Sequence, residues 1–190
     1  RVADGDIVRA LLMSLAVLAP TAMTEELLLR GYPFAVLSER WGWPIAIGAT
    51  SVVFGLLHVA NPGASPMAVA NVIAAGVFLA GVRLVTGSLA AAWAAHFGWN
   101  FTMSSGFHTA VSGLPFETPR YQLVDSGPDW LTGGSWGPEG GALAVVGMLG
   151  MFAGLWWVAG HDRGAGTTTV ASATDFKHAG GRTGRQEHDI

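Results

Sequence analysis

Three long stretches of this chain contain no charged side chain, and this pattern limits the possible folds more than any other feature. No Asp, Glu, Lys or Arg occurs from Trp41 to Val82, from Leu84 to Phe116, or from Gly140 to Gly160. A helix that spans a bilayer needs roughly 20 apolar residues. The first two stretches are each long enough for a helical hairpin or a long span, and the third for one span. The sequence therefore predicts an all-α, polytopic bundle of transmembrane helices.

The composition agrees with a lipid bilayer as the main surrounding. Of 190 residues, 51% are hydrophobic and only 12% are charged, and the mean hydropathy is +0.42. The absence of cysteine excludes disulfides and thiolate catalysis. A net charge of −3 gives no reason to expect a nucleic-acid partner. We expect a multi-pass protein of the cell membrane.

Helix-breaking residues divide the chain into about six predicted helices. These run over 6–20, 22–38, 43–59, 66–86, 88–106 and 140–160. A polar, Gly- and Pro-rich loop (108–139) precedes the last helix, and the polar tail (161–190) is predicted to be disordered. Residues 1–160 would then form one membrane domain. Because the chain begins at Arg1 without methionine, one or more further N-terminal helices are expected to precede it.

The basic residues predict an orientation. If the helices alternate, one side of the membrane carries Arg1, Arg9, Arg40, Arg83, Arg163, Lys177, Arg182 and Arg185, and the other carries Arg120. The richer side is the cytoplasm by the positive-inside bias. This assignment places Glu25 and His58 toward the opposite half of the membrane. The Ala- and Gly-rich composition points to a bacterial source, and hence to the plasma (inner) membrane.

The segment MTEELLLRGYPF, residues 23–34, places three ionisable side chains next to an apolar run. Carboxylates are costly at membrane depth, so ionisable residues there are candidates for function. Glu26 and Arg30 are four residues apart and share a helix face, where they can neutralise each other. Glu25 has no such partner in its own helix. These charges alone leave two interpretations open, a solvated helix end or a functional site.

Two histidines favour the functional site. His58 and His96 both lie in charge-free stretches, and Asn100 follows His96 by one helical turn. Counted from the turn near residue 40, Glu25 and His58 lie at the same depth, some 20 to 25 Å from that membrane face. His96 lies nearer the middle, about 13 Å from the face, so a tilt or kink would be needed to bring all three side chains together.

Three short motifs occur in order on three predicted helices: E-E-x-x-x-R (Glu25, Glu26, Arg30), F-x-x-x-H (Phe54, His58) and H-x-x-x-N (His96, Asn100). Each motif alone is weak, but together they resemble the signature of the CPBP intramembrane proteases. That family includes type II CAAX prenyl endopeptidases and bacteriocin-processing, immunity and lysostaphin-resistance-like proteins. The resemblance covers about residues 20–105 and leaves the loop and tail without a counterpart.

The resemblance implies an α-helical membrane fold whose polar cavity hydrolyses a peptide bond. Glu25 matches the glutamate that activates a water together with His58, and His96 and Asn100 match the pair that stabilises the oxyanion. The expected substrate is a peptide or lipidated protein, with C-terminal processing of the CAAX type.

Supporting roles follow from the same resemblance. Glu26 with Arg30 is expected to hold the catalytic glutamate in place, and Phe54 to support the site.

The resemblance leaves a metal ion as an open question. Glu25, His58 and His96 offer three zinc ligands with a fourth position open. The zinc-protease spacing H-E-x-x-H is absent from the chain. We therefore prefer a water activated by glutamate without a cofactor, and keep zinc as the alternative.

Other functions fit the sequence less well. The chain has no G-x-G-D motif of aspartyl intramembrane proteases, and the serines of MSSGFH lack a histidine within a later membrane helix, since His161 lies at the end of the last one. A non-catalytic immunity or binding protein would keep the fold without turnover. A small transporter would use Glu25 as a proton site.

Overall fold

The computed structural model describes residues 7–115 and 126–164, and it contains six α-helices of ten or more residues there. They are α1 (Ile7–Arg30), α2 (Tyr32–Trp41), α3 (Trp43–Leu57), α4 (Pro66–Thr86), α5 (Leu89–Phe101) and α6 (Ala142–Gly164). No β-strand occurs in these residues. The all-α class and the number of helices predicted from the sequence are confirmed. Helix α3 packs against α2 and α4, and α5 packs against α1 and α4.

The first helix does not end at Pro20, where the sequence predicted a break. Helix α1 continues through Pro20 to Arg30. Thr21 donates to the Val17 carbonyl and Thr24 to that of Pro20, at 2.8 and 2.9 Å. Membrane helices tolerate an internal proline. This continuity removes one of the turns on which the predicted orientation depends.

The chain breaks instead at Gly31, where α1 meets α2. A Cβ atom on Gly31 would lie 2.3 Å from the carbonyl oxygen of Leu27, so only glycine fits this bend. Pro33 then occupies the first turn of α2, where a missing N–H has no cost. The bend ends α1 directly after Arg30 and so fixes the position of the E-E-x-x-x-R motif at the end of a long helix.

The outer faces of the helices carry many exposed apolar side chains, and the ion pair of the E-E-x-x-x-R motif lies inside. Leu28 is 60% exposed and Val146 67% exposed, whereas Glu26 and Arg30 are fully buried. This arrangement is typical of a protein whose surface meets lipid. Three helical stretches are long and apolar enough to cross a membrane, namely Ile7–Trp41, Pro66–Thr86 and Ala142–His161, and Trp43–Leu57 is a shorter apolar helix.

Helices α3 and α4 approach closely through small residues. A Cβ atom on Gly76 of α4 would lie 3.0 Å from both Cα and Cβ of Ser51 on α3, and 3.1 Å from Nη2 of Arg30. Small residues of this kind allow membrane helices to pack backbone against backbone. Gly76 therefore sets the distance between the helix that bears the F-x-x-x-H motif and its neighbour.

Replacing Gly76 with alanine is expected to destabilise the protein by about 1–3 kcal/mol, because the added methyl group overpacks this contact. The free energy of unfolding in mixed micelles measures the effect. Gly48→Ala is the matched control, since nothing lies within 4 Å of its added Cβ atom. Equal stability of the two variants would show that α3 and α4 are not held this closely.

The segment after α5 is folded where the structure describes it. Helix α5 continues into a π-helical turn, Thr102–Gly106. A short helix (Asp129–Thr132) and two 3₁₀ turns (Gly134–Trp136, Pro138–Gly140) precede α6. Trp136 is 1% exposed and packs in the core with Phe54. Part of the loop predicted over 108–139 is thus a buried element beside α3.

Contacts divide the chain into two units, Arg1–Trp156 and Trp157–Ile190. The residues of the three motifs and of the cavity all belong to the first unit. In the second, the structure describes only the end of α6, and the predicted disordered tail beyond Gly164 lies outside the described residues.

Candidate active site

A buried ion pair lies at the centre of the candidate site. Nη1 of Arg30 is 3.1 Å from Oε1 of Glu26, and both side chains are fully buried. Nη2 of Arg30 donates to the carbonyl of Gly76 at 3.1 Å, and its guanidinium lies 4.5 Å from the centre of the Phe54 ring. The i, i+4 pair predicted from the sequence is present, and it also joins α1 to α3 and α4.

His96 joins the same carboxylate from α5. Its Nδ1 lies 2.9 Å from Oε1 of Glu26, which also faces Arg30. A carboxylate held by an arginine is ionised and only accepts hydrogen bonds, so Nδ1 of His96 carries the proton. The carboxylate thereby fixes the orientation and tautomer of the imidazole, as carboxylates do for many functional histidines. The sequence did not predict this contact, because it assigned Glu26 to Arg30 alone.

Glu25 lies on the other side of the same imidazole. Its Oε2 is 3.6 Å from Nε2 of His96, and its side chain is 26% exposed. The depths predicted from the sequence placed Glu25 level with His58 and away from His96. The structure instead brings Glu25 and His96 together, and within the described residues Glu25 makes no ion pair with His58. Two adjacent glutamates thus face the two nitrogens of one histidine.

His58 ends α3 and does not lie inside it. The helix finishes at Leu57, and His58 is its C-cap. Its Nδ1 is 2.7 Å from the carbonyl oxygen of Phe54. A carbonyl only accepts, so Nδ1 is the donor, and Nε2 of the neutral ring is left with a lone pair. His58 can therefore accept a proton or a hydrogen bond at Nε2.

Phe54 lies between the two histidines. Its ring contacts the ring of His58 at 4.8 Å between centroids and that of His96 at 5.6 Å, both edge to face. With the guanidinium of Arg30 over the same ring, Phe54 touches a member of each of the three motifs. The supporting position predicted for Phe54 corresponds to this central contact.

A cavity opens next to these side chains. It has a volume of about 610 Å³ including its open mouth, and His58, His96 and Asn100 line it together with Phe54. Asn100 lies one turn after His96 on α5, and within the described residues its amide makes no hydrogen bond to another side chain or to the backbone of another helix. The amide is free to bind a group that enters the cavity.

The wall of the cavity also contains polar residues that the motifs do not include. Glu139 accepts hydrogen bonds from the indole of Trp99 and from the backbone N–H and hydroxyl of Ser112. Asn71 of α4 donates to the carbonyls of Glu139 and Gly141 at 2.8 and 3.0 Å. A single acidic residue next to the charge-free stretch 140–160 was the only sequence signal for this wall.

The residues as placed do not fit a zinc site. No group of three or more His, Asp and Glu side chains in the described residues is arranged to hold a metal ion. His96 faces Glu26 with Nδ1 and Glu25 with Nε2, whereas Nδ1 of His58 is bound to the carbonyl of Phe54. The predicted set of Glu25, His58 and His96 is therefore not gathered around one point in the described residues.

The fold and the site define a class of protein: a helical membrane protein with glutamate, histidine and asparagine side chains gathered beside an internal cavity. Residues 7–102 match the family model described as type II CAAX prenyl endopeptidase Rce1-like. The chain belongs to this family, and the resemblance noted from the three motifs is confirmed. Membership indicates an endopeptidase of the CAAX type that acts in a membrane. No curated protein and no solved structure matches the chain.

Proposed function

We propose that this protein is an intramembrane endopeptidase that hydrolyses a peptide bond with a water activated by Glu25. The observation that carries the proposal is the pair of carboxylates on either side of His96, since His96 itself lines a cavity together with His58 and Asn100. Glu26 pairs directly with Arg30 at 3.1 Å, whereas Glu25 is partly exposed and has its ion pair, among the described residues, with His96. Glu25 is therefore the carboxylate available as a base.

His96 is proposed as an oxyanion donor in its doubly protonated form. Its Nδ1 proton is committed to Glu26, so Nε2 donates only when the ring is positively charged. Glu25, Glu26, Arg30 and this imidazolium then sum to zero charge, which suits a buried cluster. Substrate binding would turn the Nε2–H from Glu25 toward the carbonyl oxygen of the scissile bond.

The proposed reaction begins when the oxygen of a water adds to the scissile carbonyl carbon. Glu25 takes one proton from this water, and Nε2 of His58 accepts a hydrogen bond from the other O–H. The negative charge on the carbonyl oxygen is held by His96 and Asn100. The C–N bond then breaks as the proton on Glu25 passes to the leaving nitrogen. The products are a new C-terminal carboxyl group and an amine.

The proposed substrate is the C-terminal segment of a peptide or a lipidated protein, cut as in CAAX processing. Family membership supports this class of substrate. The apolar outer faces of the helices support a position of the cavity within a bilayer, and the composition supports a bacterial plasma membrane. A non-catalytic immunity or binding protein with the same fold is the competing function.

A fluorogenic peptide panel, with and without a prenyl group, tests the proposal on purified protein in lipid vesicles. We expect cleavage of one peptide class, unchanged by a zinc chelator. Loss of activity with the chelator would assign the site to zinc. If a thermally stable protein cuts no peptide of the panel, the non-catalytic function is favoured.

Asn100→Ala is expected to lower kcat by about 10²- to 10³-fold with little change in KM, because one donor to the oxyanion is lost. In the part of the chain that the structure describes, the amide makes no side-chain hydrogen bond, so thermal stability should stay near that of the wild type. A variant with unchanged kcat would exclude Asn100 from the oxyanion site. Thr102→Val is a matched control, since this exposed hydroxyl only bonds back to the carbonyl of Gly98.

A further inference from the structure

Glu139 is an acidic group in the wall of the cavity, and the proposed reaction does not use it. It lines the same cavity as His58, His96 and Asn100. The residue is 9% exposed, so its carboxylate is nearly removed from solvent. It lies within the 3₁₀ turn Pro138–Gly140, outside the stretch of chain that carries the three motifs.

Both carboxyl oxygens of Glu139 accept hydrogen bonds. Oε1 accepts from the Trp99 indole, and Oε2 accepts from the backbone N–H and hydroxyl of Ser112 at 2.8 and 2.9 Å. All three donors are neutral groups. A carboxylate has about four acceptor positions. One position is therefore left for a group that enters the cavity.

No lysine or arginine of the described residues lines the cavity beside Glu139. Arg30 is not in the lining, and it pairs with Glu26. In the described residues the cavity wall therefore holds the carboxylate of Glu139 without an arginine or lysine partner. An uncompensated charge inside a membrane is costly, and a bound cation reduces that cost.

The rest of the lining suits the stem of a long cationic side chain. Val72, Leu79, Met148 and Met151 supply apolar walls to the same cavity. Lysine and arginine side chains bury their methylene groups along apolar surface and place the charge at a polar partner. The cavity offers both parts, an apolar path and an anion.

We propose that Glu139 is a specificity-determining residue that binds a lysine or arginine side chain of the peptide substrate near the scissile bond. This inference rests on the proposed function and narrows its substrate class. Asn71, which holds the backbone of Glu139 from α4, keeps the carboxylate fixed in the wall.

The test uses N-acetylated peptides that differ only in lysine or norleucine at each position around the cleaved bond, with protein in lipid vesicles. Acetylation removes the terminal amine, so only the side chain supplies a cation. At one position we expect kcat/KM to be about tenfold to a hundredfold higher for lysine, as for a hydrogen bond between charged groups. In Glu139→Gln the ratio should fall to about one.

Two further variants separate charge from folding. Glu139→Asp keeps the charge and should keep the preference, and Trp99→Phe removes one donor but leaves the carboxylate, so it should keep the preference as well. Glu39→Gln, on the exposed surface of α2, is the control for a lost acidic group elsewhere. If Glu139→Gln does not fold, the inference is tested by the kcat/KM ratio of lysine to norleucine peptides in the wild type and in Glu139→Asp. A ratio of one in either protein would contradict it.

Equal kcat/KM for lysine and norleucine at every position would overturn the inference while the protease function stands. Binding of the same labelled peptides to Glu25→Gln, measured by fluorescence anisotropy, separates the two proposals. If the wild type cuts no peptide but lysine peptides bind more tightly than norleucine peptides, the protease function fails and the cation site is supported. Binding without any preference would also reject the site.

Discussion

Glu25→Gln is expected to lower kcat for peptide cleavage by about 10²- to 10⁴-fold, the range for removal of a general base. The glutamine amide keeps the size of the side chain but cannot take a proton from water. Steady-state kinetics on the best peptide of the panel in vesicles measures the change. KM should move little, because the carboxylate is proposed to act on water and not to bind the peptide.

The stability of this variant should remain close to that of the wild type. Glu25 is 26% exposed, and its contact with Nε2 of His96 is 3.6 Å long. Removing its charge should therefore change the free energy of unfolding little. Glu39→Gln serves as the control, as it removes an exposed carboxylate from the neighbouring helix. A Glu25→Gln enzyme with wild-type kcat would remove Glu25 from the mechanism.

Arg30→Met should destabilise the protein by about 3–5 kcal/mol, because it leaves the fully buried carboxylate of Glu26 without its cation. The bond to the Gly76 carbonyl and the contact with the Phe54 ring are lost as well. The free energy of unfolding in mixed micelles measures the loss. Activity should fall with it, since Glu26 also orients His96.

The double variant Glu26→Gln/Arg30→Met distinguishes charge burial from packing. Neutralising Glu26 removes the uncompensated charge, so the double variant should be more stable than Arg30→Met alone, a non-additive result expected of partners in contact. If the two losses simply add, Glu26 and Arg30 do not act as a pair.

Regular spacing within one helix could be read from the sequence. The charge-free stretches predicted the helices because burial in lipid excludes unpaired charge. The four-residue separation of Glu26 and Arg30 predicted their pairing because helix geometry puts them on one face. Both predictions rest on local geometry, and both agree with the structure.

Contacts between helices could not be predicted in the same way. Sequence spacing gives the face of α5 on which His96 lies. It does not show that this face of α5 is turned toward α1, so the bond from His96 to Glu26 could not be predicted. The intrinsic preference of proline predicts a helix end at Pro20, whereas α1 runs through this residue to Arg30. Tertiary context decided both cases.

Glu139 shows where the sequence gives the least information. It lies in a Gly- and Pro-rich segment with no periodicity, and a lone acidic residue in such a segment is most simply a solvated one. Only the folded chain shows that Trp99 and Ser112 bind it and that Asn71 fixes its backbone. The wall of the cavity depends on contacts between residues far apart in the chain.

The central claim, hydrolysis through Glu25, is tested most directly by mass spectrometry of a peptide digested in ¹⁸O-labelled water. Wild-type protein and Glu25→Gln are compared in the same vesicles. We expect the wild type to cut a single bond and to place ¹⁸O in the new C-terminal carboxyl group, and Glu25→Gln of equal thermal stability to leave the peptide intact. Equal amounts of labelled product from both proteins would contradict the account.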